Sequence, residues 1–151
     1  MSSENAYLVG LRLHGRKVVV VGGGSVAQRR LPLLISVGAD VHVVTRSATP
    51  AVEAMHPITL TLRDFRDEDL DGAWYVLAAT DDPAANAAIV DGAERRRIFC
   101  VRADAARDGT AVTPASFAFD GLSVGVLAGG PHRRSGRRPR PPPRGSAPRP
   151  L

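Results

Sequence analysis

Lys17-Val18-Val19-Val20-Val21-Gly22-Gly23-Gly24-Ser25-Val26-Ala27 is the stretch that decides how this chain folds. Four consecutive valines run into three glycines, and the glycines open a helix-compatible segment. A short, unbroken β-branched run of this kind reads as a strand buried on both faces, as in a parallel sheet. Ser25 to Val37 follows with Val26, Leu31, Leu34 and Ile35 at helical spacing, and Gly38 closes the helix. Pro32 inside it lacks a backbone N–H, which predicts a bend there. Asp40 to Thr45, with Val41, Val43 and Val44 apolar, supplies a second strand. Strand, glycine turn, helix and strand thus fall within about thirty residues, as in a mononucleotide-binding unit.

Gly22-Gly23-Gly24-Ser25-Val26-Ala27 has the form G-x-G-x-x-A at the strand-to-helix junction. In that motif Gly22 permits the tight turn, Gly24 lets a pyrophosphate approach the backbone, and Ala27 allows close helix–strand packing. Phosphates would rest on the free N–H groups at the start of the helix, where the macrodipole favours an anion.

Downstream, Ile58 to Leu62 alternates and reads as a third, more exposed strand, and Ala73 to Ala79 as a fourth, buried one. Asp82 then Pro83 is an N-cap followed by proline at the first helical position, with the helix running through Ala87 and Val90 to about Arg96. Ile98 to Val101 makes a fifth strand. This alternation predicts an α/β, Rossmann-like parallel sheet with helices on both faces and right-handed crossovers. Phe117 to Val124 then reads as a hairpin around Asp120-Gly121, a short antiparallel β piece. The expected organisation is a nucleotide-binding domain over residues 1–109, a further segment over 110–135 and a disordered Arg/Pro-rich tail over 136–151.

A length of 151 residues suits one domain with a real core, and 44% hydrophobic with 23% charged residues are globular values. The single cysteine, Cys100, excludes a disulfide framework and a multi-cysteine zinc site, and fits the cytoplasm. No apolar run reaches the roughly 18 residues of a membrane span, and Met1 to Gly10 lacks the features of a signal peptide. The net charge of +5 is unevenly placed, because residues 132–151 carry seven of the 20 basic residues and no acid. The remainder holds 13 basic and 15 acidic residues, a net charge of −2. Six of the 12 prolines also lie in that tail, whose composition predicts disorder. An acidic body without interleaved aromatics argues against a nucleic-acid partner.

The carboxylate that usually binds a ribose should end the second strand, but Thr45-Arg46-Ser47 stands there and Asp40 lies at the wrong end. Arg46 either meets the 2′-phosphate of NADP, lies along adenine and ribose, or is a solvated loop residue, and the nicotinamide cofactor is not fixed by these residues. Thr80 and Asp81 end the fourth strand, where they either line the nicotinamide side or, with Asp82, belong to the cap and turn of the next helix. Asp104 follows the fifth strand on the same edge, placed either to take the proton that accompanies hydride loss or to form an Asx turn. Arg95-Arg96-Arg97 closes a helix, and Cys100 reads as a small core residue. His14, His42, His56 and His132 lack paired spacing, so no metal site is expected. Tyr75 is followed four residues on by Ala79, which excludes a Tyr-x-x-x-Lys dehydrogenase pair.

Several spaced motifs together carry a more specific likeness. Tyr7-Leu8-Val9-Gly10-Leu11, Val18 to Ala27 with Gln28-Arg29-Arg30, Ala78-Ala79-Thr80-Asp81-Asp82 with Asn86, and Arg97-Ile98-Phe99-Cys100 with Asp104 occur in order. With Thr113-Pro114-Ala115-Ser116 and Gly129-Gly130, the chain resembles the precorrin-2 dehydrogenase/sirohydrochlorin ferrochelatase domain of siroheme synthases over about residues 6–135. The resemblance implies NAD-dependent oxidation of precorrin-2 to sirohydrochlorin, then iron(II) insertion to give siroheme. It implies that Asp104 is the proton acceptor in both steps, and that Ser25-Val26 and Arg46-Ser47 contact NAD. It also implies a tetrapyrrole substrate and a homodimer.

Three features depart from the family. Val101 stands where an asparagine is common, and Ala128 where a phosphorylatable serine occurs. After Gly129-Gly130 the family continues into a helix that builds the dimer and the substrate cleft, whereas here Gly136 is followed by Arg-Arg-Pro-Arg-Pro-Pro-Pro. The expectation is a truncated or frameshifted member, with residues 110–135 an incomplete dimerisation and substrate segment and with weak or absent dimers. The rival reading is a non-catalytic NAD(P)-binding Rossmann domain, either a sensor or an inactive truncated paralogue.

Overall fold

A computed structural model describes residues 5–128 of the chain. Strand β1 (Lys17–Val21) sends Val18 and Val20 into one apolar cluster and Val19 and Val21 into another, all buried. Such two-sided burial requires layers on both faces, and β1 is the centre of a five-stranded sheet. The order is β3-β2-β1-β4-β5, every neighbouring pair parallel, with β2 Asp40–Thr45, β3 Thr59–Leu62, β4 Tyr75–Ala78 and β5 Phe99–Arg102.

Helix α1 (Ser25–Ser36) and the single turn α2 (Pro50–Glu53) cover one face, where Ala27, Leu31 and Val52 pack on Val18, Val20, Val41 and Val43. Helix α3 (Pro83–Arg95) covers the other, placing Ile89, Val90 and Ala93 against Val19, Val21, Val76 and Ala78. The Rossmann-like α/β expectation, with helices on both faces, therefore holds. The chain moves outward from β1 through β2 to β3 and then returns to the opposite side of β1 as β4. This reversal opens a crevice beyond the carboxyl ends of β1 and β4. The return is made by a 3₁₀ turn, Asp67–Leu70, anchored by the fully buried Leu70.

Element ends differ from the sequence reading by one or two residues, and the causes are local. The fifth strand starts at Phe99 because Arg97 adopts a positive φ of 57° while Ile98 N–H bonds back to Ala93 O at 2.9 Å, closing α3. Gly38, at φ 76°, closes α1 as expected, and Pro32 lies inside α1 without ending it. The turn α2 and the 3₁₀ turns Asp67–Leu70 and Ala106–Asp108 carry no hydrophobic period that would announce them. The outer side of β5 is partly paired, since Thr110 and Ala111 N–H both bond to Cys100 O.

Contacts divide the chain into one compact unit of Ala6–Thr113 and a second that contains the hairpin. Its strands β6 (Ala115–Phe119) and β7 (Leu122–Val126) are antiparallel and extend two residues beyond the expected hairpin at each end. Asp120 and Gly121, at φ 47° and 77°, make the turn that matches strand twist. Gly129-Gly130 and the tail of residues 136–151 lie outside the described residues.

Arginine–carboxylate pairs tie the return crossover to its neighbours. Arg63 forks onto Asp69 at 2.8 and 2.6 Å, and Arg95 and Arg96 hold Asp67 at 2.8 and 2.9 Å. Hydrogen bonds from Arg96 and Arg63 hold the Asp67 and Asp69 carboxyls below their ordinary value of 3.8. A depressed folded-state pKa contributes stability that is present above the unfolded value and lost as pH falls through the folded one. Urea midpoints should therefore fall as pH drops below 3.8, and Asp69→Asn should flatten that decline. An unchanged acid slope in the variant would remove Asp69 from this account.

Candidate functional site

A cleft of about 410 Å³ lies at the carboxyl ends of the strands, a volume suited to a small-molecule ligand. The glycine turn after β1, Thr45 to Thr49 after β2, Arg63 to Phe65 after β3 and Ala79 to Asp82 after β4 line it. The two decisive glycines are glycine for different reasons. Gly22 has φ 116°, and a Cβ there would stand 2.2 Å from the Ala79 carbonyl oxygen. The turn can press against the end of β4 only without a side chain. Gly24 has an ordinary φ of −91°, and a Cβ there would meet nothing within 4 Å.

Gly24 is also the N-cap of α1, and no side chain caps that helix. The first N–H groups of a helix have no partner within it. Open space before an uncapped, twelve-residue helix, lined by glycine backbone, fits a pyrophosphate.

The cleft brings together Gly22, Gly24, Arg46, Ser47, Thr80 and Asp81 among the expected site residues. Ser25 and Val26 form the first turn of α1 and lie outside its lining, as does Asp104. Thr45 Oγ1 donates to Ser47 O at 2.7 Å, shaping the turn that presents Arg46. The Arg46 guanidinium is ion-paired with Asp64. Thr80 is fixed by Asn86, the one buried polar or charged side chain among the described residues. Asn86 Oδ1 accepts from Thr80 N–H at 3.1 Å and from its hydroxyl at 2.7 Å, while Asn86 Nδ2 donates to Thr80 O at 3.0 Å. Asp82 caps α3 by accepting from Ala84 N–H at 2.9 Å.

Asp104 stands two residues past β5, its carboxylate held in the fork of Arg102. Arg102 Nε meets Oδ1 at 2.8 Å and Nη2 meets Oδ2 at 3.1 Å, and the same Nη2 donates to Pro83 O at 3.2 Å. The Arg102 hydrogen bond holds the Asp104 carboxyl below its ordinary value, with a smaller contribution from Asn86. The group is thus ionised at neutral pH and able to accept a proton. Burial pushes the Cys100 thiol up to about 11, which agrees with its reading as a core residue. Among the described residues no group of three or more His, Cys, Asp or Glu could hold a metal, and no helix is long and apolar enough to cross a membrane.

The sequence reading gave no site role to Arg102 or Asp64, and it named Asn86 only among the motif residues that carry the family likeness. Asn86 carried a signal in that motif, and the other two matter through their partners.

Residues 9–115 match a family model described as putative NAD(P)-binding. The chain belongs to that NAD(P)-binding family. Siroheme synthase 2 of Klebsiella pneumoniae is 37% identical over 122 residues, which span 79% of this chain and 27% of the relative. The siroheme synthase of Citrobacter koseri is 38% identical over 124 residues, with the same coverage of 79% and 27%. The chain thus spans about a quarter of the length of these curated relatives. Among solved structures, SirC, a precorrin-2 dehydrogenase, superposes with a TM-score of 0.67 at 29% identity, over 81% of this chain and 61% of that one.

In this NAD(P)-binding fold the two glycines should separate by mutation. Gly24→Asp meets no protein atoms at its Cβ, so the variant should fold while placing a negative charge where a pyrophosphate would rest. Calorimetry should find dinucleotide affinity reduced more than tenfold, above ~1.4 kcal/mol. Gly22→Ala should instead lower the melting temperature, because its Cβ collides with the β4 backbone. Unchanged affinity in Gly24→Asp would remove the pyrophosphate assignment.

Proposed function

We propose that the chain oxidises precorrin-2 to sirohydrochlorin with NAD, and that iron(II) insertion to siroheme follows at the same site. The observation that carries this reading is the pairing of a nucleotide cleft at the switch point with an ionised carboxylate, Asp104, at the next strand end. The likeness to siroheme synthases and to SirC supports the choice of a tetrapyrrole substrate.

Bound NAD supplies the hydride acceptor. Gly22, Gly24 and the N–H groups of Ser25 and Val26 hold its pyrophosphate, and Arg46 and Ser47 face its adenosine half. Thr80, locked by Asn86, and Asp81 position the nicotinamide end. Oxidation of the macrocycle releases a proton as the hydride leaves, and Asp104 accepts it. Iron(II) is a substrate here, bound by the tetrapyrrole nitrogens, and its insertion displaces two pyrrole protons, which Asp104, part-exposed, accepts one at a time and passes to solvent between transfers. Residues 1–109 carry the cofactor, and 110–135 form part of the substrate and dimer segment. The protein works in the cytoplasm.

The test is purified protein with NAD and precorrin-2, followed by absorbance with and without iron(II). NAD reduction is expected, and then a second spectral change on adding iron. Asp104→Asn should slow NAD reduction by roughly 10²–10⁴-fold without altering NAD affinity. Wild-type turnover in that variant would return Asp104 to a turn-forming role.

Arg102→Leu adds a sign test. A base is lost as pH falls through its pKa, and removing the guanidinium raises that pKa. The acidic limb of the kcat/KM profile should move to higher pH, with Asp108, the second carboxylate near Arg102, left in place. A limb that stays put would separate Asp104 from the proton transfer.

A further inference from the structure

The end of β2 offers Arg46 and Ser47 where a ribose would ordinarily meet a carboxylate. The neighbouring strand provides one. β3 runs parallel to β2 with Leu62 opposite Thr45, and Arg63 N–H extends the pairing to Thr45 O at 2.9 Å. Asp64 is the next residue, at the same end of the sheet and one strand spacing, about 4.8 Å, further out. It lines the same cleft as Arg46, and the two side chains pair across the ends of β2 and β3.

We infer that Asp64 supplies, from β3, the carboxylate that receives the adenosine ribose hydroxyls, and that with Arg46 it makes the cleft select NAD over NADP. This rests on the dinucleotide reading of the cleft and adds the residue that discriminates within it.

The charges around the cleft favour that assignment. Its lining holds two arginines, Arg46 and Arg63, against three aspartates, Asp64, Asp81 and Asp82. Arg63 is engaged by both oxygens of Asp69, whose side chain is only 10% exposed. Arg46 is engaged by Asp64. A 2′-phosphate would have to take Arg46 from Asp64 and would leave a carboxylate facing a dianion, the repulsive element by which a site rejects a close analogue. A 2′-hydroxyl instead donates to Asp64, which as a carboxylate can only accept.

The pair is also suited to mutation. Arg46 and Asp64 side chains are 77% and 73% exposed, so their contact adds little to folding and Asp64→Asn should leave the structure intact.

The experiment is titration calorimetry of the full chain with NAD and with NADP, in wild type and in Asp64→Asn. Wild type should bind NAD at least tenfold more tightly than NADP. Asp64→Asn should weaken NAD and strengthen NADP, narrowing the ratio at least fivefold. 5′-AMP and adenosine 2′,5′-bisphosphate should reproduce the shift, which locates it at the ribose. Equal affinities or an NADP preference in wild type, or a ratio unmoved by Asp64→Asn, would overturn the inference while leaving the dinucleotide site standing. Failure of wild type to bind either dinucleotide would overturn the site and the inference together.

Discussion

The turn after β1 lies against the end of β4 so closely that a single carbon atom on Gly22 would collide with the Ala79 carbonyl. This contact joins the two strands between which the order of strand addition reverses. It sets where the crevice opens, how far the glycine backbone projects into it, and where Thr80 and Asp81 begin. The buried amide of Asn86 acts on the same corner from the other side, satisfying the polar groups of Thr80 and fixing the strand end to α3. A buried polar side chain is tolerated when its donors and acceptors are met, and here three hydrogen bonds go to one residue.

Around that corner, carboxylates at the ends of the strands are paired with arginines, and burial decides how firmly. Arg102 is only 11% exposed and holds Asp104 in a two-point fork, so the carboxylate is oriented and kept ionised. That orientation has a chemical consequence, because a base with a depressed pKa stays available at low pH but takes a proton with less driving force. The Arg46–Asp64 pair, open to solvent at the cleft rim, is cheap to rearrange. One type of interaction thus serves as a fixed clamp in one place and a loose contact in another.

The parts legible in the sequence are those encoded by local periodicity and turn chemistry. Val18 to Val21 announced a strand buried on both faces, G-x-G-x-x-A its turn and helix, Asp82-Pro83 the start of α3, and Asp120-Gly121 the hairpin. Each depends on backbone geometry spanning a few residues, so the order of residue types determines it. The motif gives Gly22 the tight turn and Gly24 the open approach, and the structure supplies the physical reason for each: a Cβ on Gly22 would strike the end of β4, while the space in front of Gly24 is empty.

What only the tertiary structure decided is which side chains meet across elements. No local pattern in the sequence marks Asp64; strand order places β3 beside β2 and brings it to Arg46. Arg102 acquires meaning from Asp104 and from the start of α3, nineteen positions away in sequence. The short turns that return the chain from β3 to β4 have no period of their own and are held by Leu70 and by arginines from elsewhere. Spacing along the chain carries hydrophobic rhythm but not strand order, and strand order determines which charges face one another.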